Sequence, residues 1–329
     1  MDGQRAPALP RQVRKEAPNS NFERQAISAK DVYEVPRLAV QGMLAWSLPE
    51  AAWWTLSRLF GQVNVLTHPQ RTRSEIDKIA AVLADVPTKP GRVALENWAN
   101  RYEERFHYMR AWRPGGWTPD IEIVGNEHVS AALDKGRGII FWAGSFSFND
   151  LVAKIAWHRL GLEVSHFSRP IHGFSETRFG IRYLNAVRRV IEDRYLGERL
   201  MVEEHETRAA LKLMRERLEA NGAVSFTVGH RGRRSATAAF LGGRITIATG
   251  PLAMAISTGA ALLPVYTLRL ASRRFEVTIG DPIEPLRDAN EKVNYAAAIQ
   301  SYANALKPFV LRDPGQWRGW HYTSGDAPI

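Results

Sequence analysis

Apolar and polar positions change period several times along the chain, and the changes mark its elements. Ser74–Leu83 and Val93–Met109 repeat with helical spacing; in the second, Leu95, Trp98, Tyr102 and Phe106 fall on roughly one face. Ile121–Val124 reads as a short strand and Val129–Leu133 as a short helix that stops at Gly136. Gly138–Ala143, GIIFWA, is a continuous apolar run of the kind found in a strand covered on both faces. Leu151–Leu160 predicts a helix and Glu163–Phe167 a strand; Thr207–Ala220 predicts a helix ended by Asn221-Gly222, with the strand Ala223–Val228 after it. Ile245–Leu268 holds 24 residues without a charge, punctuated by Gly250, Pro251, Gly259 and Pro264. Proline in a first helical turn and glycine just past a helix end divide it into the strand Arg244–Ala248, the helix Pro251–Thr258 and the strand Leu262–Leu268. That buried unit fits the punctuation better than a membrane-crossing helix does. Arg274–Ile279 reads as a strand and Val293–Val310 as a helix. Strands alternating with helices predict an α/β fold, a mainly parallel sheet covered by helices, with no internal repeat.

The region before the sheet has another character. Residues 1–37 read as a flexible N-terminal tail, and the first thirty contain no apolar run of the kind a signal peptide needs. Leu38–Phe60 is apolar, with Trp46, Trp53 and Trp54 among aliphatics and only Glu50 and Arg58 charged. Pro49-Glu50 splits it into two pieces of about a dozen residues, short of the roughly 20 needed to span a bilayer. Indole rings prefer the headgroup level, so the pair reads either as helices lying at a membrane interface or as ordinary core helices. The division that follows is a helical membrane-interface and packing region over 38–118, an α/β domain over 119–321 and a C-terminal tail over 322–329.

Composition narrows the chemistry. The 329 residues carry 44 Lys+Arg against 34 Asp+Glu, a net charge of +10, and no cysteine. The missing cysteines exclude thiolate catalysis, disulfides and cysteine-ligated metals. The positive charge calls for an anionic partner: nucleic acid, an anionic membrane surface or a phosphorylated substrate. No nucleic-acid-binding signature is present, so nucleic acid is set aside. None of the nine histidines has metal-site spacing, and no metal is expected. Phosphate-loop, dinucleotide and nucleophile-elbow motifs are likewise missing.

Ligands of such sheets bind beyond the carboxyl ends of the strands. Two ends stand out: Gly144-Ser145-Phe146-Ser147-Phe148-Asn149-Asp150 after GIIFWA, and Gly229-His230-Arg231-Gly232-Arg233-Arg234 after AVSFTV. The second, with Arg244 beyond it, places four arginines and no acid within residues 229–244. Guanidinium forks pair with phosphate or carboxylate. A solvated basic loop is the plainer alternative. His158, His166, His172 and His230 lie near these strand ends.

The order of these segments resembles the late acyltransferases of lipid A biosynthesis, the lauroyl/myristoyl type within the lysophospholipid acyltransferase superfamily. The similarity runs from about Leu38 to His321. It rests on Ile121–Val129 with Gly136-Arg137-Gly138-Ile139-Ile140, on Ser168-Arg169-Pro170, and on Gly232-Arg233-Arg234 with Phe240-Leu241-Gly242-Gly243. Thr249-Gly250-Pro251, Thr258-Gly259-Ala260, Pro264-Val265 and the ending Pro314–His321 complete it. The resemblance implies a His-x4-Asp/Glu motif, in which imidazole takes the proton of an acceptor hydroxyl that attacks an acyl thioester, and the carboxylate orients the imidazole. Here the motif aligns with Ser145 to Asp150: the carboxylate is kept and serine stands at the histidine position. The Asp-Gln pair usual after the second strand is replaced by Val228-Gly229, with His230 next.

An acyltransferase with SxxxxD in place of HxxxxD is therefore expected, needing no cofactor. It would move a fatty acyl group from a carrier-protein or coenzyme A thioester to a hydroxyl of a lipid or glycolipid. The resemblance implies a peripheral or monotopic seat on the cytoplasmic face of a bacterial inner membrane. The expected catalytic residues are Asp150, Ser145 and His230, with His230 reaching across as the base. Arg169, Arg231, Arg233 and Arg234 are expected to hold anionic parts of the substrates. Two alternatives stay open: a catalytically silent relative that binds lipid or a partner enzyme, and an acyl-enzyme formed on Ser145.

Overall fold

The apolar run GIIFWA forms β2 (Ile139–Ala143), buried along its whole length because it lies between strands and under helices on both faces. Its neighbours β5 (Ala223–Thr227) and β8 (Ala261–Ala271) both run parallel to it. The sheet has seven strands, in the order β1 (Asp120–Val124), β9 (Arg274–Ile279), β8, β2, β5, β3 (Val164–Ser168), β4 (Glu198–Met201). All adjacent pairs are parallel except β8 and β9. Those two are joined by a tight turn with Arg273 at φ 63°, too short for the crossover that parallel pairing requires. The mainly parallel, helix-covered α/β fold expected from the sequence is the fold observed. The computed structural model describes residues 24–84, 86–203, 207–229, 232, 234–286 and 293–325. The first 23 residues of the expected tail, and 326–329 of the C-terminal one, lie outside that set.

Alternation along β2 builds two cores. Ile140 and Trp142 point to the face covered by α8 (Thr207–Glu219), α9 (Gly250–Thr258) and α10 (Tyr295–Arg312). Ile139, Phe141 and Ala143 face α5 (Asn126–Asp134), α6 (Asn149–Arg159) and the end of α4 (Pro90–Ala111). Gly138, at φ +74°, enters β2 so close to α8 that an added Cβ would collide with the Leu218 and Gly222 carbonyls. The strand read at Arg244–Ala248 is β7 (Gly243–Ala248), and it lies outside the main sheet. It pairs antiparallel with β6 (Ser235–Phe240), through a turn with Leu241 at φ 54°, and with β10 (Thr323–Gly325). β10 falls inside the stretch read as a C-terminal tail; ladder bonds to β7 hold it.

At the other end, α1 (Ala29–Ser47) begins within the stretch read as a tail. Ser28 and Asp31 form a reciprocal capping box that starts the helix there. Pro49 breaks the apolar stretch as expected, and a short 3₁₀ turn leads into α2 (Trp53–Thr67), then α3 (Pro69–Val82). Trp53 is a core residue, stacked on Phe106 at 5.7 Å, because α2 packs along α4. Trp46 donates its indole N–H to the Met109 carbonyl at 2.8 Å. The same helices expose Val32, Tyr33, Val40, Met43, Leu59 and Leu66. Among the described residues no helix is long and apolar enough to cross a membrane.

Trp317 lies in the core that the two sheets share. Its ring is fully buried, 4.7 Å from Trp320 and 5.3 Å from Phe240 of β6. Replacing it with alanine, Trp317→Ala, is expected to cost about 3–5 kcal/mol, read as a lower urea midpoint.

Candidate active site

The turn after β2 is held from outside. Gly144 donates its N–H to the Val265 carbonyl, Ser147 donates to Gln316 at 2.9 Å, and Arg318 N–H donates to the Ser145 carbonyl at 2.7 Å. The Gln316 side chain in turn pairs with both backbone groups of Arg269 on β8. Asn97 and Asn100 of α4 donate to the Gly315 carbonyl. Asn149 accepts from Thr267 at 2.7 Å. The loop that carries the acyltransferase-like motif is thus fastened to β8, α4 and the Pro314–Arg318 segment.

Ser145, half-buried, spends its hydroxyl on the Val228 carbonyl at 2.9 Å. Asp150, in the first turn of α6, faces elsewhere. Its Oδ2 is 3.1 Å from Arg188 Nη2 and 3.9 Å from Arg318 Nη1. Burial opposes ionisation of Asp150, yet the charges of Arg188, Lys154 and Arg318, with that of His172 when its ring is protonated, hold its carboxyl well below the usual carboxylate range.

Asp150 belongs to a buried network that the sequence reading missed. Arg188, on α7 (Ala186–Glu192), bridges Asp150 to Glu104 at 2.9 Å and Tyr108 at 3.2 Å. Four residues on, Glu192 is wholly buried and accepts from Tyr108 at 2.6 Å, His172 Nε2 at 3.2 Å, Lys154 at 2.8 Å and Arg199 at 2.7 Å. Desolvation opposes its charge too, but Lys154, His172 and Arg199 keep Glu192 well below its ordinary value. At Glu104 burial wins, and its carboxyl is raised despite Arg188 and Arg318. The signal in the sequence was an i,i+4 polar pair on each of three helices: Glu104 and Tyr108, Asp150 and Lys154, Arg188 and Glu192.

A cavity of about 910 Å³ opens beside this network, between α1, α2, α4 and the loop after β3. Arg37, Arg71, Arg101, Arg105, Arg188 and Arg318 line it, against only Glu34 and Glu104. Arg71 and Arg101 hold their guanidiniums over the Trp98 ring at 4.7 and 4.8 Å. Burial and the neighbouring cations Arg318 and Arg71 lower Arg101 to about 10. Among the described residues it makes no ion pair; its Nε donates to Asn97.

The other sequence candidates are placed as follows. Arg169 is half-buried in the loop after β3, and Arg234 is exposed beside β6. His230, Arg231 and Arg233 lie outside the described residues. His166 is a core histidine, its Nδ1 2.8 Å from Ser225 Oγ, and burial holds it well below its ordinary value. His158 packs edge-on against Tyr195. Among the described residues no group of three or more His, Asp or Glu is arranged to hold a metal.

A family model of bacterial lipid A biosynthesis acyltransferases matches residues 99–321, more than half of the chain. The chain belongs to that family. Every residue of the buried network falls within the match. The chain is also 26% identical over 201 residues to the phosphatidylinositol mannoside acyltransferase of Mycolicibacterium smegmatis. That alignment covers 60% of this chain and 62% of the relative, so the chain spans less than two thirds of that protein's length. The match spans the seven-stranded sheet, the Ser145–Asp150 turn and the Trp317 segment.

Removing the bridging cation leaves Glu104 and Asp150 with Arg318 as the one remaining arginine partner among the described residues. Arg188→Met is expected to destabilise the fold by about 3–5 kcal/mol, with part recovered in Arg188→Met/Glu104→Gln, both measured by chemical denaturation. Glu192 is depressed on folding, so the stability it adds is fully present above its unfolded value of 4.5. It is lost progressively as pH falls below that value. Glu192→Gln is therefore expected to lag behind wild type most at neutral pH, with the gap narrowing at pH values below about 4.

Proposed function

We propose that this chain moves a fatty acyl group from the thioester of a carrier protein or coenzyme A to a hydroxyl of an anionic lipid or glycolipid. The reading is carried by the arginine-lined cavity, which shares Glu104, Arg188 and Arg318 with the network around Asp150. Six guanidiniums in one concave site suit a headgroup bearing phosphate or carboxylate. Arg101, half-buried and without an ion pair among the described residues, is the strongest anchor for it. Arg169, Arg231, Arg233 and Arg234 are assigned to anionic parts of the substrates. Family membership supplies the acyl-transfer chemistry, and Asp150 supplies a carboxylate that stays ionised.

The N-terminal helices give the acceptor its route. Val32, Tyr33, Val40, Met43, Leu59 and Leu66 are exposed on α1 and α2, the helices that also wall the cavity. Residues 38–118 are assigned to a bilayer interface and 119–321 to the catalytic unit, with the protein seated peripherally on the cytoplasmic face of a bacterial inner membrane. Apolar side chains entering the headgroup layer would bring the cavity mouth to the lipid.

A second reading is favoured by two observations: the Asp150 carboxylate is taken by Arg188, and Ser145 donates to Val228. A silent relative that binds lipid or a partner enzyme would need no more. Neither observation favours an acyl-enzyme on Ser145, whose hydroxyl donates to a backbone carbonyl rather than to a base.

The test is transfer of labelled palmitate from palmitoyl-coenzyme A or palmitoyl carrier protein into bacterial lipid extract by the purified chain. Wild type is expected to form labelled lipid, and Arg101→Glu to lower kcat/KM for the acceptor by at least about tenfold, or 1.4 kcal/mol. An inert wild type that gains activity as Ser145→His would establish the silent reading instead.

A further inference from the structure

The motif position that should hold a base holds Ser145, yet an imidazole does sit in the buried network that Arg188 links to Asp150. His172 lies in the loop after β3, half-buried, with Nε2 3.2 Å from Glu192 Oε1. A carboxylate accepts only, so Nε2 is the donor. In the neutral ring that tautomer leaves the lone pair on Nδ1. Nδ1 has no hydrogen-bond partner among the described residues. A histidine fixed through one nitrogen by a buried carboxylate, with the other free, is the arrangement a general base requires.

The loop is built to hold that ring still. His172 N–H closes a turn onto the Arg169 carbonyl at 3.0 Å. Asn185 ties the loop on both sides, donating to the Pro170 and Ser175 carbonyls and accepting from Phe174 and Ser175 N–H. Asn185 directly precedes α7, the helix that presents Glu192, so the imidazole and its partner are set by one element. The residues that follow His172, Gly173 and Phe174, line the arginine cavity.

We infer that His172 is the general base of acyl transfer in this chain, with Glu192 as its positioning residue. The inference rests on the acyl-transfer reading above. The acceptor O–H gives its proton to His172 Nδ1 as its oxygen bonds to the thioester carbonyl carbon. When the tetrahedral intermediate collapses, the C–S bond breaks and the imidazolium returns the proton to the departing thiolate. The products are an ester and a free thiol, and the base is regenerated. His230, the sequence candidate, is not needed for these steps.

The experiment follows free thiol released from palmitoyl-coenzyme A in the presence of bacterial lipid extract. His172→Gln retains a donor toward Glu192 and is expected to lose about 10²–10⁴-fold in kcat with KM little changed. Added imidazole is expected to restore part of the rate to His172→Ala. Glu192→Gln should lose kcat, with Glu192→Asp recovering part of it. If His172→Gln does not fold, His172→Asn gives the same comparison. An active wild type whose His172 variants keep its kcat overturns this inference alone. A wild type that releases no thiol overturns the acyl-transfer reading and this inference with it.

Discussion

Glu192 is a carboxylate with no access to water, and the site is organised around the need to satisfy it. Its oxygens collect donors from α4, α6, β4 and the loop after β3, while Arg188, one helical turn earlier, carries the same condition on to Glu104 and Asp150. Each ion has given up hydration that only well-placed partners repay, so the positions of the elements are coupled: none shifts without stranding a charge. A hydrophobic cluster of the same volume would hold the elements together. It would not fix their side chains to within hydrogen-bonding distance, which the chemistry proposed at this place requires.

The sheet was legible because its signals are local. GIIFWA can only be a strand covered on both sides, and Gly250-Pro251 with Gly259 bounds a helix wherever the chain goes next. The small second sheet was harder to read. Ser235–Phe240 is a run of small residues with no strong pattern, and β7 acquires its place from pairing with Thr323–Gly325, far along the chain. The site was half legible. Asp150 stood out by its position after β2, but Glu104, Tyr108, Arg188 and Glu192 look, one helix at a time, like ordinary polar positions on a solvated face. Only the tertiary packing turns those faces toward one another. His172 was visible as a histidine near a strand end, with nothing in the chain to separate it from His158 or His166.

The N-terminal helices show how the same apolar stretch divides its tasks. Tryptophans that read alike in the sequence differ in place: Trp53 is interior, Trp46 anchors α1 to α4, and Trp54 lies against the Arg269 guanidinium at 4.4 Å. The outward-facing residues are mostly valine, leucine and methionine. Helical periodicity alone does not distinguish these placements, because both faces of the stretch are apolar and only contact with α4 selects one.

The Pro314–Arg318 segment has a consequence for how the protein is made. It fastens the Ser145–Asp150 turn and carries Arg318 into the arginine cavity, although some 170 residues of chain separate the two. A nascent chain emerging from the ribosome can pair its early strands, but it has no finished turn and no complete cavity until Pro314–Arg318 is free. The order of synthesis itself therefore keeps the site unassembled until the Pro314–Arg318 segment has emerged.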